Sequence, residues 1–174
     1  GAILVAKELG MSLEEISLSC KNITQKQGGM TLKTGIHGFN IIDASYSSNP
    51  DGVMADLDYL SVFEGRKIIV MPCLIELGSK SAQVHERIGK KIAEVCDLAI
   101  ITTKDKFNEL KQGAIENGMS AERILLCDTS TGSAQANQIL NKIRDFCKEG
   151  DAVLLEGRVL KDVILTLKRT TNDK

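Results

Sequence analysis

A chain of 174 residues, 43% hydrophobic and 26% charged, has the composition of one ordinary globular domain with a sizeable core, with room for a fragment of another. A net charge of −1 and only 3% aromatic residues, with no Trp, make no electrostatic or stacking case for nucleic acid or an acidic membrane surface. The five cysteines, Cys20, Cys73, Cys96, Cys127 and Cys147, are odd in number and lack CxxC spacing, which argues against a disulfide framework or a zinc site and for a reducing, cytoplasmic setting. No apolar stretch reaches the roughly 20 residues that span a bilayer, and no signal peptide is evident.

The elements follow in order along the chain. Ala2 to Leu9 reads as the end of a helix stopped by Gly10, and Ser12-Leu13-Glu14-Glu15 as the cap of a second short helix. Thr24 to Gly29 is polar and glycine-containing and reads as a linker. Met30 to Thr34 and Phe39 to Ala44 flank Gly35-Ile36-His37-Gly38 and predict a β-hairpin. Strand-like apolar runs then recur at Lys67 to Met71, Leu98 to Thr102, Arg123 to Cys127 and Ala152 to Leu155. Helical patterns fall between them at Val53 to Phe63, Ser81 to Val95, Asp105 to Asn117 and Ser133 to Cys147, with a last one from Val159 to Lys168. Strand alternating with helix predicts an α/β fold: a Rossmann-like three-layer sandwich with a mostly parallel sheet, plus the N-terminal helices and the hairpin.

The stretch Ile41-Ile42-Asp43-Ala44-Ser45-Tyr46-Ser47-Ser48-Asn49-Pro50-Asp51 carries most of the functional information. It begins as a buried strand, turns polar and ends ahead of a helix, the place where α/β sheets bind ligands. Asp43 is placed to accept from sugar hydroxyls, and Tyr46 and Asn49 offer a ring face and an amide. The alternative is local: an Asx turn at Asp43 and a helix start at Asn49-Pro50.

Asp-Ala-Ser-Tyr-Ser-Ser-Asn-Pro-Asp resembles the Asp-Asp-Ser-Tyr-Asn-Ala-Asn-Pro-Asp signature that opens the C-terminal domain of the Mur ligases, most closely the MurF branch. Glu64-Gly65-Arg66-Lys67-Ile68-Ile69-Val70, Ile75-Glu76-Leu77-Gly78, His85 and Leu155-Glu156-Gly157-Arg158 follow in the family's order. The resemblance runs from about Ala2 to the C-terminus. It divides the chain into a helical tail of the central ATPase domain (1–23), a linker or hinge (24–29) and the Mur ligase C-terminal domain (30–174).

That resemblance implies an ATP-dependent carboxylate–amine ligase of peptidoglycan precursor synthesis, working with ATP and Mg²⁺ through an acyl phosphate. The chain's partners are then the central and N-terminal domains of the same enzyme, a UDP-sugar peptide, and an amino acid or dipeptide. Asp43, Ser45, Tyr46, Asn49 and Pro50 are implied to meet the nucleotide. Glu76, Gly157 and Arg158 are implied to meet the amine substrate, and His85 to meet the facing domain; none is assigned a catalytic or metal-binding role. No GxxxxGK[ST] phosphate loop and no GxGxxG occur in the chain, so it is expected to be an excised C-terminal domain, inactive alone.

Four positions depart from the family pattern. Gly29 stands where the family has Arg, Ala44 where it has a second Asp, Cys73 where it has an acid, and Glu156 where it has Lys. They support an alternative, a degenerate nucleotide-binding or interaction module of the same fold. A third option, the folylpolyglutamate synthases, fits Ser45-Tyr46 less well.

Overall fold

The computed structural model describes residues 2–21, 29–128 and 133–167. Helix α1 (Ala2–Glu8) ends at Gly10, whose φ of +93° lets the chain turn. Helix α2 (Leu13–Lys21) begins with a reciprocal capping box. Glu15 N donates to Ser12 Oγ at 3.2 Å, and Ser12 N donates to Glu15 Oε2 at 2.8 Å.

The sheet holds β1 (Thr31–Thr34), β2 (Asn40–Ala44), β3 (Lys67–Met71), β4 (Leu98–Ile101), β5 (Ile124–Leu126) and β6 (Ala152–Glu156) in the order β1-β2-β6-β3-β4-β5. β1 pairs antiparallel with β2, as the hairpin pattern predicts, and every other pairing is parallel. The helices are α3 (Pro50–Ser61), α4 (Ser81–Val95), α5 (Phe107–Glu116), α6 (Ser133–Phe146) and α7 (Lys161–Leu167). The expected α/β sandwich is therefore present, and the element bounds shift by a few residues only. α3 starts three residues before the apolar pattern does, because Asn49 caps it and Pro50 supplies a preset φ at its first position.

Both faces of the sheet are covered, which is why the strands read as unbroken apolar runs. Ile42, Ile69, Met71, Ala99, Ile101 and Leu154 pack against α3, α4 and α5. Their neighbours Ile41, Ile68, Val70, Ile100, Val153 and Leu155 pack against α6 and α7. No described helix is long and apolar enough to cross a membrane.

Helices α4 and α5 meet backbone to backbone at two glycines. A Cβ on Gly89 would sit 2.0 Å from the Leu110 carbonyl oxygen, and one on Gly113 would sit 2.2 Å from that of Glu86. Gly89→Ala should therefore destabilise the domain by about 2 kcal/mol or more, although Ala is the better helix former. A shift of the urea midpoint to lower concentration is the expected reading; an unchanged or raised midpoint would show that the helices separate without cost.

Candidate functional site

β2, β6 and β3 are adjacent and parallel, so their carboxyl ends share one edge. The chain leaves β2 and β3 toward α3 and α4 on one face, and leaves β6 toward α7 on the other. Neighbouring strands whose connections part to opposite faces leave a crevice, the usual ligand position in an open α/β sheet.

Gly157 and Arg158 lie at the centre of that crevice, directly after β6. Gly157 has φ +65°, and its N–H donates to the Ala44 carbonyl at 3.1 Å. A Cβ there would approach Ser48 Oγ to 2.6 Å, so the β2 and β6 exits meet closely only because the residue is Gly. Arg158 is exposed and borders two clefts. On one side stand Gly29, Lys33, Asp43, Ser45, Tyr46 and Lys161. On the other stand Ser47, Ser48, Cys73, Glu76, Thr103 and Asp105. Asp43, Arg158 and Glu76 thus occupy one edge.

In the first cleft, Asp43 Oδ1 accepts from Ser45 N at 3.1 Å and from Ser45 Oγ at 2.5 Å. This is the Asx turn that the sequence offered as the local alternative, and it holds the carboxylate at the cleft wall. Tyr46 is 78% exposed, with its ring face open. Asn49 Oδ1 accepts from Gly52 N at 2.9 Å, so Asn49 and Pro50 serve here as the start of α3.

In the second cleft, Glu76 is exposed and held at φ +63°, a left-handed conformation rare for a residue with a side chain. The loop beneath it is tied down. Cys73 N donates to Thr103 Oγ1 at 2.8 Å, and the Cys73 thiol donates to the Thr103 carbonyl at 3.4 Å. Burial pushes the Cys73 thiol up, so it is a neutral packing group.

His85, expected at the face of another domain, is instead fully buried within this one. Its Nε2 accepts from Leu74 N at 3.0 Å, and its Nδ1 lies 2.7 Å from the Ser81 carbonyl. A ring with no exposed surface has nothing to offer a neighbouring domain. Its spacing already carried the signal: 85, 88, 89 and 92 form one helical stripe, shared with Ile88, Gly89 and Ile92. Thr103 and Asp105 were likewise readable as the exit of a strand, β4, by the rule that selects Asp43. Lys33 and Lys161 had no such signal.

The matches with known proteins fall on this same region. Residues 29–159 match the family model described as Mur ligase, glutamate ligase domain. The chain belongs to the Mur ligase family. It is 25% identical over 170 residues to the UDP-N-acetylmuramoyl-tripeptide–D-alanyl-D-alanine ligases of Mycobacterium bovis and Mycobacterium tuberculosis, covering 90% of this chain and 33% of each relative. The chain thus spans about a third of the length of these curated relatives. Among solved structures, a MurF from Acinetobacter baumannii superposes with a TM-score of 0.69 at 22% identity, over 95% of this chain and 35% of that one. The MurF ligase from Thermotoga maritima in complex with ADP gives 0.64 at 22% identity, over 95% and 36%. These structures share the fold.

Two departures from the Mur ligase pattern now have a setting. A Cβ on Gly29 would meet nothing within 4 Å, so the cleft has space where the family carries Arg. Glu156, where the family has Lys, is buried. It is 1% exposed, no donor reaches its carboxylate oxygens, and the Asp56 side chain stands within hydrogen-bond reach. Burial first, then the hydrogen bond and the charge of Asp56, push it up to about 9, so at pH 7 it is a neutral acid that donates to Asp56.

That burial has a consequence for stability. In the unfolded chain Glu156 ionises near its ordinary 4.5; in the folded chain it holds its proton to about pH 9. Its contribution to stability is complete below pH 4.5 and is lost as pH rises toward 9. Glu156→Gln removes the titration, so the variant should gain on the parent by up to about 1.4 kcal/mol per pH unit across that window. Urea denaturation at pH 5 and pH 8 checks it. Near-equal midpoints at pH 5 and a more stable variant at pH 8 are expected; the same difference at both would refute the assignment.

Proposed function

We propose that this chain is the amine-substrate domain of a MurF-type, ATP-dependent carboxylate–amine ligase. The single observation that carries this reading is the convergence of Asp43, Arg158 and Glu76 on one edge of a Mur ligase fold, with a cleft on each side of Arg158. We assign the first cleft, with Asp43, Ser45 and Tyr46, to the ribose and adenine end of ATP, and Asn49 and Pro50 to the shaping of its wall. We assign the second to an amino acid or dipeptide, whose carboxylate meets Arg158 and whose ammonium meets Glu76. The names of the mycobacterial relatives make D-alanyl-D-alanine the first dipeptide to try. The ADP complex of the Thermotoga maritima structure supports a nucleotide.

In this reading the phosphoryl group of ATP passes to the carboxylate of a UDP-sugar peptide, giving ADP and an acyl phosphate. The amine attacks the carbonyl carbon, the bond from that carbon to the phosphate oxygen breaks, and phosphate leaves as the nitrogen loses its proton. This domain supplies position: it holds the amine where attack is effectively unimolecular, a gain of up to about 7–11 kcal/mol for well-aligned groups. Among the described residues no three His, Cys, Asp or Glu side chains converge on a metal position. We assign the Mg²⁺ that accompanies ATP mainly to the central domain, as the family resemblance implies.

Residues 1–23 then belong to the tail of a central domain, and 24–29 to the hinge. The apolar side chains left exposed by α1, the turn after it and α2, Leu4, Val5, Leu9, Leu13 and Leu18, support a surface that a preceding domain covers. Residues 24–28 lie outside the described part of the chain. A second reading, a non-catalytic nucleotide-binding or interaction module, is favoured by the Asx turn that already engages Asp43 and by the acid at Glu156.

Two measurements test the ligase reading. The 174-residue chain, mixed with ATP, Mg²⁺, UDP-sugar peptide and D-alanyl-D-alanine, should release no more phosphate than a blank; turnover above the blank would place the whole active site in this chain. In the intact ligase, Asp43→Ala should raise the KM for ATP about ten- to a hundredfold, and Arg158→Ala should instead raise that for the amine. Equal effects of Asp43→Ala on both substrates, with a lowered melting temperature, would leave Asp43 only its Asx turn.

A further inference from the structure

We propose that His85 is a positioning residue for the second cleft: carrying its proton on Nδ1, it latches the loop from Pro72 to Leu77 through Leu74 and so fixes where Glu76 stands opposite Arg158. The inference rests on that cleft being a binding face, but the latch itself is a property of this chain alone.

The tautomer follows from the two contacts. Ser81 offers a carbonyl oxygen, which only accepts, so Nδ1 carries the hydrogen and donates to it at 2.7 Å. Leu74 offers an N–H, which only donates, so Nε2 is bare and accepts it at 3.0 Å. Both ring nitrogens are used, and the ring is fully buried. It bridges the first turn of α4 to the loop that leaves β3. α5 brings Glu109 near the ring, where its hydrogen bond and ion pair with Lys106 hold it below the usual carboxylate range. The charged side chains that α3 and α4 exchange, Asp51 with Arg87 and Asp58 with Lys91, pair at the surface.

The loop shows why a latch is needed. Cys73 is fastened to Thr103 and Leu74 to His85, and the next two residues project. Ile75 is 64% exposed, and Glu76 holds φ +63°. A non-glycine residue keeps such a conformation only when its surroundings dictate it, at a cost on the order of 1–3 kcal/mol. The residues before Glu76 are held by these two anchors. Loss of the Leu74 anchor leaves the strain free to relax, and Glu76 then leaves its station.

The test uses the 174-residue protein labelled with ¹⁵N. A through-hydrogen-bond coupling between the Leu74 amide nitrogen and His85 Nε2 is expected in the parent. His85→Gln keeps an acceptor within reach of Leu74, and His85→Phe keeps volume without one. The Phe variant should shift the amide resonances of Cys73 to Glu76 and weaken binding of D-alanyl-D-alanine about three- to tenfold; the Gln variant should restore both, at equal loss of thermal stability. Absence of the coupling, or a Phe variant that leaves the loop resonances in place, overturns the latch. If the parent binds no dipeptide while the coupling and the loop shifts appear, the latch stands and the assignment of the cleft to an amine substrate falls. If His85→Phe does not fold, the coupling in the parent and the loop resonances of His85→Gln decide alone.

Discussion

The edge that carries Gly157 and Arg158 hangs from β6, and β6 is held in the middle of the sheet by Asp151. This carboxylate is 1% exposed. It accepts from Arg66 N at 2.8 Å, from Arg66 Nε at 3.0 Å and from Lys148 N at 2.9 Å, and its ion pair to Arg66 Nη2 spans 2.8 Å. Its own carbonyl accepts from Asn40 N at 2.7 Å. One residue therefore fastens the starts of β2, β3 and β6. Burial works to raise its pKa, but the amides of Lys148 and Arg66 and the Arg66 guanidinium outweigh it and leave the group below the usual carboxylate range. A buried charge is tolerable when each of its oxygens is met by donors, and here they are. The chains meet so closely that a Cβ on Gly65 would stand 2.4 Å from the Gly150 oxygen. Arg66 also lies 4.6 Å over the ring of Phe146, which ties the knot to α6.

The opposite end of the same strand is built the other way. Glu156 is as buried as Asp151, yet no donor reaches it; it stays neutral and faces the Asp56 carboxylate. Glu76 and Gly157 hold left-handed backbone on the same edge. At the amino edge of the central strands a buried carboxylate is met by donors; at the carboxyl edge the protein carries a buried neutral acid and two special conformations. Such departures from local consistency cluster where a fold does its work and are supported by well-satisfied structure elsewhere. Asp151 provides that support, because it fixes β6 in register between β2 and β3 and so fixes the spacing of their exits.

The alternation of strands and helices was legible because every parallel strand is buried on both faces, which forces runs such as Ile68 to Met71 and Ala152 to Leu155. The hairpin and the start of α3 were legible because turn and cap chemistry is local. The place of β6 was not: its apolar run resembles the others, and nothing in a run says which neighbours it pairs with. Glu156 was read only as a departure within a loop motif. Strand parity placed it with Ala152 and Leu154, on the face under α3, but the loop motif that continues into Gly157-Arg158 hid that parity. His85 was misplaced for a related reason. A polar residue type outweighed a spacing that set it among Ile88, Gly89 and Ile92.

The neutral state of Glu156 bears on Arg158. Arg158 is the cation that borders both clefts, with Asp43 on one side and Glu76 and Asp105 on the other. Asp43 is already occupied by Ser45 N and Oγ. Were Glu156 ionised, a further negative charge would sit two residues away in low dielectric and draw the guanidinium back onto the sheet. With its proton retained, Glu156 adds no charge beside Arg158, which stands exposed. Gly157 keeps the backbone close at that point, so the guanidinium starts from a fixed base. The crevice thus presents Arg158 between two acid-bearing walls, with Lys33 and Lys161 along the first, so both signs of charge stand close together on one edge.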